Sequence, residues 1–220
     1  MWIKNWKEFF SAKKNVFIFI FNFLFLFASL NIFTQFLVFN ENRNYTVQLN
    51  DPILEFFNAV NLDTIAFAFI YISLISFLIY ASFRPKLLMM AVTSYTFLVW
   101  TRLFTMYVTP LDVPAGAIEF NDPLVFLLGT GQPVMKDLFF SGHTSTLTLI
   151  TLLAFNAPNF SNNDIKLKAD KYFKYFLLVS LIIVAMCVIL QKAHYTIDVF
   201  AAPFFAFGVY ALAKKIYGVK

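Results

Sequence analysis

From Val16 to Phe39 the chain carries no charged side chain, and phenylalanine, isoleucine and leucine fill most of its positions. A helix in water keeps a polar stripe, which this run lacks. About 20 apolar residues cross the hydrocarbon core of a bilayer as a helix. Further segments share this character, so the spans are expected at roughly 16–39, 62–82, 87–109, 139–157, 172–192 and 196–216. The predicted fold class is therefore all-α, a polytopic membrane helix bundle with six transmembrane helices forming a single domain over residues 1–220. Composition agrees: 13% of the residues are charged, against about 25% in soluble domains.

The N-terminal lysines followed by an apolar run resemble a secretory signal, but the run exceeds the ~7–15 residues of a signal h-region and no small-x-small site follows it. It is read as a retained first span. Trp2, Trp6, Phe9 and Phe10, with Lys4, Lys7, Lys13 and Lys14, predict a short interfacial helix within residues 1–15. The one cysteine, Cys187, lies in an apolar run and excludes a disulfide framework within the chain. Two histidines in total argue against a zinc site, which takes three or four protein ligands, and no metal or cofactor is expected. The net charge of +5 does not point to nucleic acid, because the basic residues cluster beside apolar runs, as orientation signals do.

Those clusters alternate. The N-terminus (+3), the second loop (+2, Arg84 and Lys86), the fourth loop (+2, with Asp164, Lys166, Lys168, Asp170, Lys171 and Lys174) and the C-terminus (+3) are basic. The first loop (Glu41, Arg43, Asp51, Glu55, Asp63) and the third (Asp112, Glu119, Asp122, Lys136, Asp137) each sum to −3. The positive-inside rule then places both termini in the cytoplasm and the odd loops on the extracellular, periplasmic or lumenal face.

Several polar residues fall inside or at the ends of spans. Arg102 lies in the third span, His143 opens the fourth, and His194 and Asp198 bracket the short connection between the fifth and sixth. All four fall on the outer side, and ionisable residues in spans are functional candidates by default. His194 and Asp198 are four apart, so on a helix they share a face. The carboxylate then accepts the imidazole Nδ1–H and leaves Nε2 free as nucleophile or base; the structural alternative is an ion pair that stabilises span six. Ser141-Gly142-His143-Thr144 starts a helix in which Ser141 caps the end and Gly142 lets an anion approach the backbone, a cradle for phosphate. Its alternative is an ordinary N-cap before a span. Arg102 suits bidentate clamping of a phosphodiester, or else snorkels to the headgroups.

Taken in order, Asp137-Leu-Phe-Phe-Ser141-Gly-His143-Thr144 and His194-Tyr-Thr-Ile-Asp198-Val resemble the two active-site motifs of sphingomyelin synthases, within the wider type-2 phosphatidic acid phosphatase superfamily. The stretch from Arg102 through Thr109, Pro114 and Gly116 resembles a third synthase segment, and the likeness covers roughly 100–210. Phe140 stands where the phosphatase branch has proline, and Gln191-Lys192-Ala193 precedes His194 in place of Ser-Arg. Arg84-Pro85 lacks that branch's accompanying lysine. These departures argue against a plain monoester phosphatase. Lys136 replaces the glycine of animal synthases, and the outer loop is short and lacks cysteine.

The resemblance implies a metal-independent two-step transfer of a phospholipid headgroup phosphate ester. His194, oriented by Asp198, becomes a phosphohistidine, and His143 serves as general acid and then general base. Arg102, Ser141, Gly142 and Thr144 stabilise the phosphoryl charge, while Asp137 tunes His143 or binds the acceptor. The donor is a phospholipid, and the acceptor is a lipid alcohol such as ceramide or diacylglycerol. Water as acceptor gives a lipid phosphatase or phospholipase C instead. A transporter or lipid-binding scaffold is the alternative of another class, although matched broken spans are not seen in the sequence. Tyr95, Trp100, Tyr107 and Tyr195 are candidates to box a quaternary ammonium, with membrane-belt aromatics as the alternative. Headgroup and oligomeric state stay open, a homo-oligomer included.

Overall fold

The computed structural model describes residues 2–44, 46–120, 122, 123, 126, 131, 133–157 and 169–219. Among them lie the helices α1 (Trp2–Phe10), α2 (Lys13–Glu41), α3 (Pro52–Glu55), α4 (Asp63–Ser82), α5 (Pro85–Val108), α6 (Gly142–Asn156), α7 (Ala169–Leu190) and α8 (Thr196–Ile216). Among the described residues the β-pairing is an isolated bridge between Val47 and Leu111. The chain is an all-helical membrane bundle. Asp164, Lys166, Lys168 and Lys220, which entered the charge pattern, lie outside the described residues.

Five helices are long and apolar enough to cross a bilayer: α2, α4, α5, α7 from Asp170, and α8. The expected span 139–157 is the exception. Helix α6 has 15 residues, about 22 Å at 1.5 Å per residue, short of a ~30 Å hydrocarbon core. The helix starts late because the preceding residues are not helical: Phe139 has φ 49°, and the Phe140 carbonyl accepts from the Arg102 side chain. Ser141 then caps the helix, its hydroxyl accepting from Thr144 N–H at 3.4 Å.

Helix α5 runs through the middle of the bundle, with Leu87, Met89, Met90, Leu98 and Met106 almost fully buried. It touches α2 on one side and α6 and α8 on the other. Small residues let α6 and α8 approach: Ala202, Ala206 and Ala213 on α8, and Ala154 on α6, are all fully buried, as in close membrane helix packing. Outward-facing Phe17, Phe21, Leu24, Phe27, Ile72, Ile75, Phe200, Phe204 and Phe207 make an apolar exterior. Such a surface belongs in lipid, since water-facing proteins rarely expose contiguous apolar patches of this extent.

The bundle has two chemically different ends. At one, α1 docks on the α4–α5 turn, where Trp6 Nε1–H donates to Ser82 O at 2.9 Å and Asn5 Nδ2–H to Phe83 O at 2.8 Å. Arg84 stacks on Tyr80 and pairs with Asp170 at 3.4 Å. At the same end Tyr217 Oη, just beyond α8, accepts from Asn22 and bonds Thr93 Oγ1. The two ends of the chain therefore share one end of the bundle. The other end gathers the C-terminus of α5, the N-termini of α6 and α8, and the described residues of the connections 42–62 and 109–141.

Candidate active site

At this second end the two motif segments meet. The Ser141 backbone N–H donates to the Asp198 carbonyl at 3.2 Å, so the turn into α6 is bonded to the first turn of α8. Both turns follow a residue in the left-handed region, Phe139 (φ 49°) and Lys192 (φ 56°). Such conformations cost roughly 1–3 kcal/mol for residues with a Cβ and persist where the surroundings enforce them. Around Lys192 those surroundings are Gln191, which is fully buried. Its side chain donates to Asp63 Oδ1 and Glu119 O and accepts from Leu62 N–H, binding three segments at one point.

His194 and Asp198 are paired, with Nδ1 3.3 Å from Asp198 Oδ2. The route differs from the helical one expected. Helix α8 begins at Thr196, so His194 precedes it. The side chain of Asp198, the third helical residue, reaches back over the helix start. Its Oδ2 accepts from Tyr195 N–H at 3.3 Å as well as meeting His194, one half of a capping box. Both are buried, His194 to 4% and Asp198 to 0% exposure. With Nδ1 held by the carboxylate, Nε2 is the nitrogen left for chemistry.

His143 also has a carboxylate partner, which its sequence neighbourhood did not reveal. Its Nε2 lies 2.9 Å from Asp122 Oδ2, and Tyr71 of α4 donates to Asp122 Oδ1 at 2.6 Å. Phe67 and Phe120 meet the imidazole edge to face, with ring centroids at 5.9 and 5.2 Å. Among the described residues His143 Nδ1 is buried without a hydrogen-bond partner. The signal available in the sequence is charge alone: Asp122 is one of the acids of the third loop.

Arg102 is 8% exposed and is engaged on several sides. It pairs with Asp137, donates from Nε to Phe140 O at 3.3 Å and lies over the Phe33 ring at 5.3 Å. Gly142 lies against the same guanidinium. A Cβ there would meet Arg102 Cζ at 2.6 Å and Nη2 at 2.8 Å, so the missing side chain makes room for the guanidinium. Ser141 and Thr144 are buried, and their hydroxyls bond each other at 3.0 Å. Tyr195 is 1% exposed, and its hydroxyl donates to Asp112 O at 2.8 Å and accepts from Leu49 N–H at 3.1 Å. Burial pushes this phenol above its ordinary pKa. Tyr195 thus packs among the outer connections.

His143 and His194 line one cleft, together with Asp122 and Asp137. Phe120, Phe126 and Ala193 form apolar walls, and the segment Pro133–Met135 closes another side. Neither Arg102 nor Tyr195 is among its lining residues; Arg102 reaches the cleft through Asp137. Among the described residues no group of three or more His, Cys, Asp or Glu is arranged to hold a metal. The arrangement offers two imidazoles on one small volume, each backed by a carboxylate, beside an Arg–Asp pair. Such a site can attack, protonate and stabilise a phosphoryl group.

No curated protein matches the chain. Residues 136–215 match the family model described as PAP2 superfamily C-terminal, a stretch that includes Ser141–Thr144 and His194–Asp198 and leaves Arg102 and Asp122 outside. That match covers 80 of the 220 residues and makes this stretch similar to the C-terminal part of the PAP2 superfamily.

Proposed function

We propose that this protein is a membrane phosphotransferase that moves a phospholipid headgroup phosphate ester onto a lipid hydroxyl such as that of ceramide. The observation that carries the reading is the pair of histidines on one cleft, each with its own carboxylate. His194 Nε2 attacks phosphorus, a P–N bond forms, and the P–O bond to the diacylglycerol breaks. His143, its Nε2 held by Asp122, gives the leaving oxygen its proton from Nδ1. In the second step His143 takes the proton of the acceptor hydroxyl, the new P–O bond forms and the P–N bond breaks, which restores both rings. Asp198 and Asp122 set the orientation of their imidazoles. Arg102, behind Asp137 at the edge of the cleft, offsets that carboxylate's charge so that an anionic phosphoryl group can approach.

The lining of the cleft supports a headgroup that carries an ammonium. Its described lining contains two carboxylates and two phenyl rings and no lysine or arginine. A headgroup bearing an ammonium meets attraction there from the faces of Phe120 and Phe126. The basic clusters near α1 and the α4–α5 turn support a cytoplasmic position for that end by the positive-inside rule, which would turn the cleft outward or into a lumen.

The test is product analysis by mass spectrometry. Purified protein is incubated with phosphatidylcholine, phosphatidylethanolamine or phosphatidic acid, with and without ceramide. Transfer of an intact headgroup phosphate to ceramide, with release of diacylglycerol, is expected. Free phosphoalcohol in both conditions would make water the acceptor, and turnover of phosphatidic acid alone would overturn the phosphodiester reading. For sidedness, single cysteines in loop 110–138 of Cys187→Ala protein should react with an impermeant thiol reagent before permeabilisation.

A further inference from the structure

The cleft wall Pro133–Asp137 has no helix or strand of its own, and its backbone bonds run to the first long helix. Glu41, the last residue of α2, accepts through Oε2 from Met135 N–H and from Lys136 N–H, both at 2.9 Å. Asn40, 4% exposed, donates to the Lys136 carbonyl at 2.6 Å. The Lys136 ammonium donates to Arg43 O at 3.3 Å and lies 3.7 Å from Asp112. The Asp112 carboxyl is held below its ordinary pKa chiefly by the Val113 N–H, with help from Thr46 and Lys136. One carboxylate oxygen taking two successive N–H groups makes charge-assisted bonds stronger than neutral ones. The last turn of α2 therefore grips both the donors and the acceptor of the wall. The grip sits two residues from Asp137, whose carboxylate meets Arg102.

We propose that Glu41 is a positioning residue for the active site, holding the wall at the distance a phospholipid headgroup requires. The inference rests on the cleft being the site of the transfer reaction proposed above. Glu41 acts through Met135 and Asp137 and touches no reacting atom. The sequence offered it only as one acid among those of an outer loop.

The experiment compares Glu41→Ala with Glu41→Gln, whose amide oxygen can still accept both N–H groups. One readout is the split between KM and kcat for phosphatidylcholine with ceramide. Glu41→Ala should raise KM about tenfold with kcat within about threefold, and Glu41→Gln should restore most of the loss. The second readout needs no activity: a Met135→Cys probe in Cys187→Ala protein should react with a thiol reagent about tenfold faster when Glu41→Ala is added. If Glu41→Ala does not accumulate, Glu41→Asp, one methylene short, gives the same readouts. Unchanged KM and unchanged labelling in folded variant protein, even with a lowered melting temperature, would overturn the proposal. Wild-type protein that turns over no phosphodiester defeats the transfer reading, and the labelling rates still decide whether Glu41 holds the wall.

Discussion

The two histidines of the cleft are both backed by a carboxylate, but the pairs are built in opposite ways. His194 and Asp198 are four residues apart, buried, and joined across the start of α8 through Nδ1. His143 and Asp122 are 21 residues apart and joined through Nε2, with Tyr71 from a third segment behind them. The first pair is local, so one turn of chain fixes its geometry. The second is assembled, so it exists only while α4, the third loop and α6 keep their places. A buried, local pair suits a nucleophile whose position must not vary. An assembled pair, more open with His143 18% and Asp122 14% exposed in their side chains, suits a proton carrier that serves a leaving group and then an acceptor.

The sharpest way to break this division of labour is His194→Ala. It should abolish turnover and all covalent labelling by a headgroup-labelled lipid, a loss on the order of 10⁴-fold or more, as for removal of other catalytic nucleophiles. An adduct that survives in His194→Ala and vanishes in His143→Ala would exchange the two roles. Asp198→Asn should come next, slowing turnover by about 10³- to 10⁴-fold at unchanged fold, since the amide presents the wrong group to Nδ1. Single-turnover kinetics would place that loss in the first step. Asp122→Asn should cost less, about 10- to 100-fold, because it disturbs a proton-transfer partner rather than the nucleophile. Rapid quench should show both steps slowed. If Asp122→Asn equals Asp198→Asn in effect, the local and assembled pairs are not functionally distinct. The smallest change is Tyr71→Phe, which removes one hydrogen bond to Asp122. That bond is worth about 1.5–3 kcal/mol at most when the acceptor is charged, and a threefold to tenfold loss in kcat is expected, with KM unchanged, in steady-state assays.

Much of the site was legible in the chain because its chemistry is rare there. With two histidines in 220 residues, both stand out, and Asp198 is close enough in sequence to be assigned to one of them. Arg102 is conspicuous as a charge within an apolar helix. Other features were legible only as types. The glycine at 142 signals space at the helix start, and the structure sets the Arg102 guanidinium against it. Tyr195 was read as a binding surface, yet its hydroxyl is spent between Asp112 and Leu49.

The sequence by itself determined that the chain is a bundle of membrane helices, because apolar length and charge alternation act locally along the chain and need no partner to be expressed. It also determined that one end of that bundle carries the reactive groups. Tertiary structure alone decided which carboxylate meets His143, that Arg102 is shared between Asp137 and the Phe140 carbonyl, and that α6 is cut short. It likewise decided that Glu41 carries the cleft wall. These depend on close contacts between segments separated by tens of residues. Periodicity and charge patterns specify which face or end a side chain occupies, but a hydrogen bond of about 3 Å is set by how whole helices and loops pack.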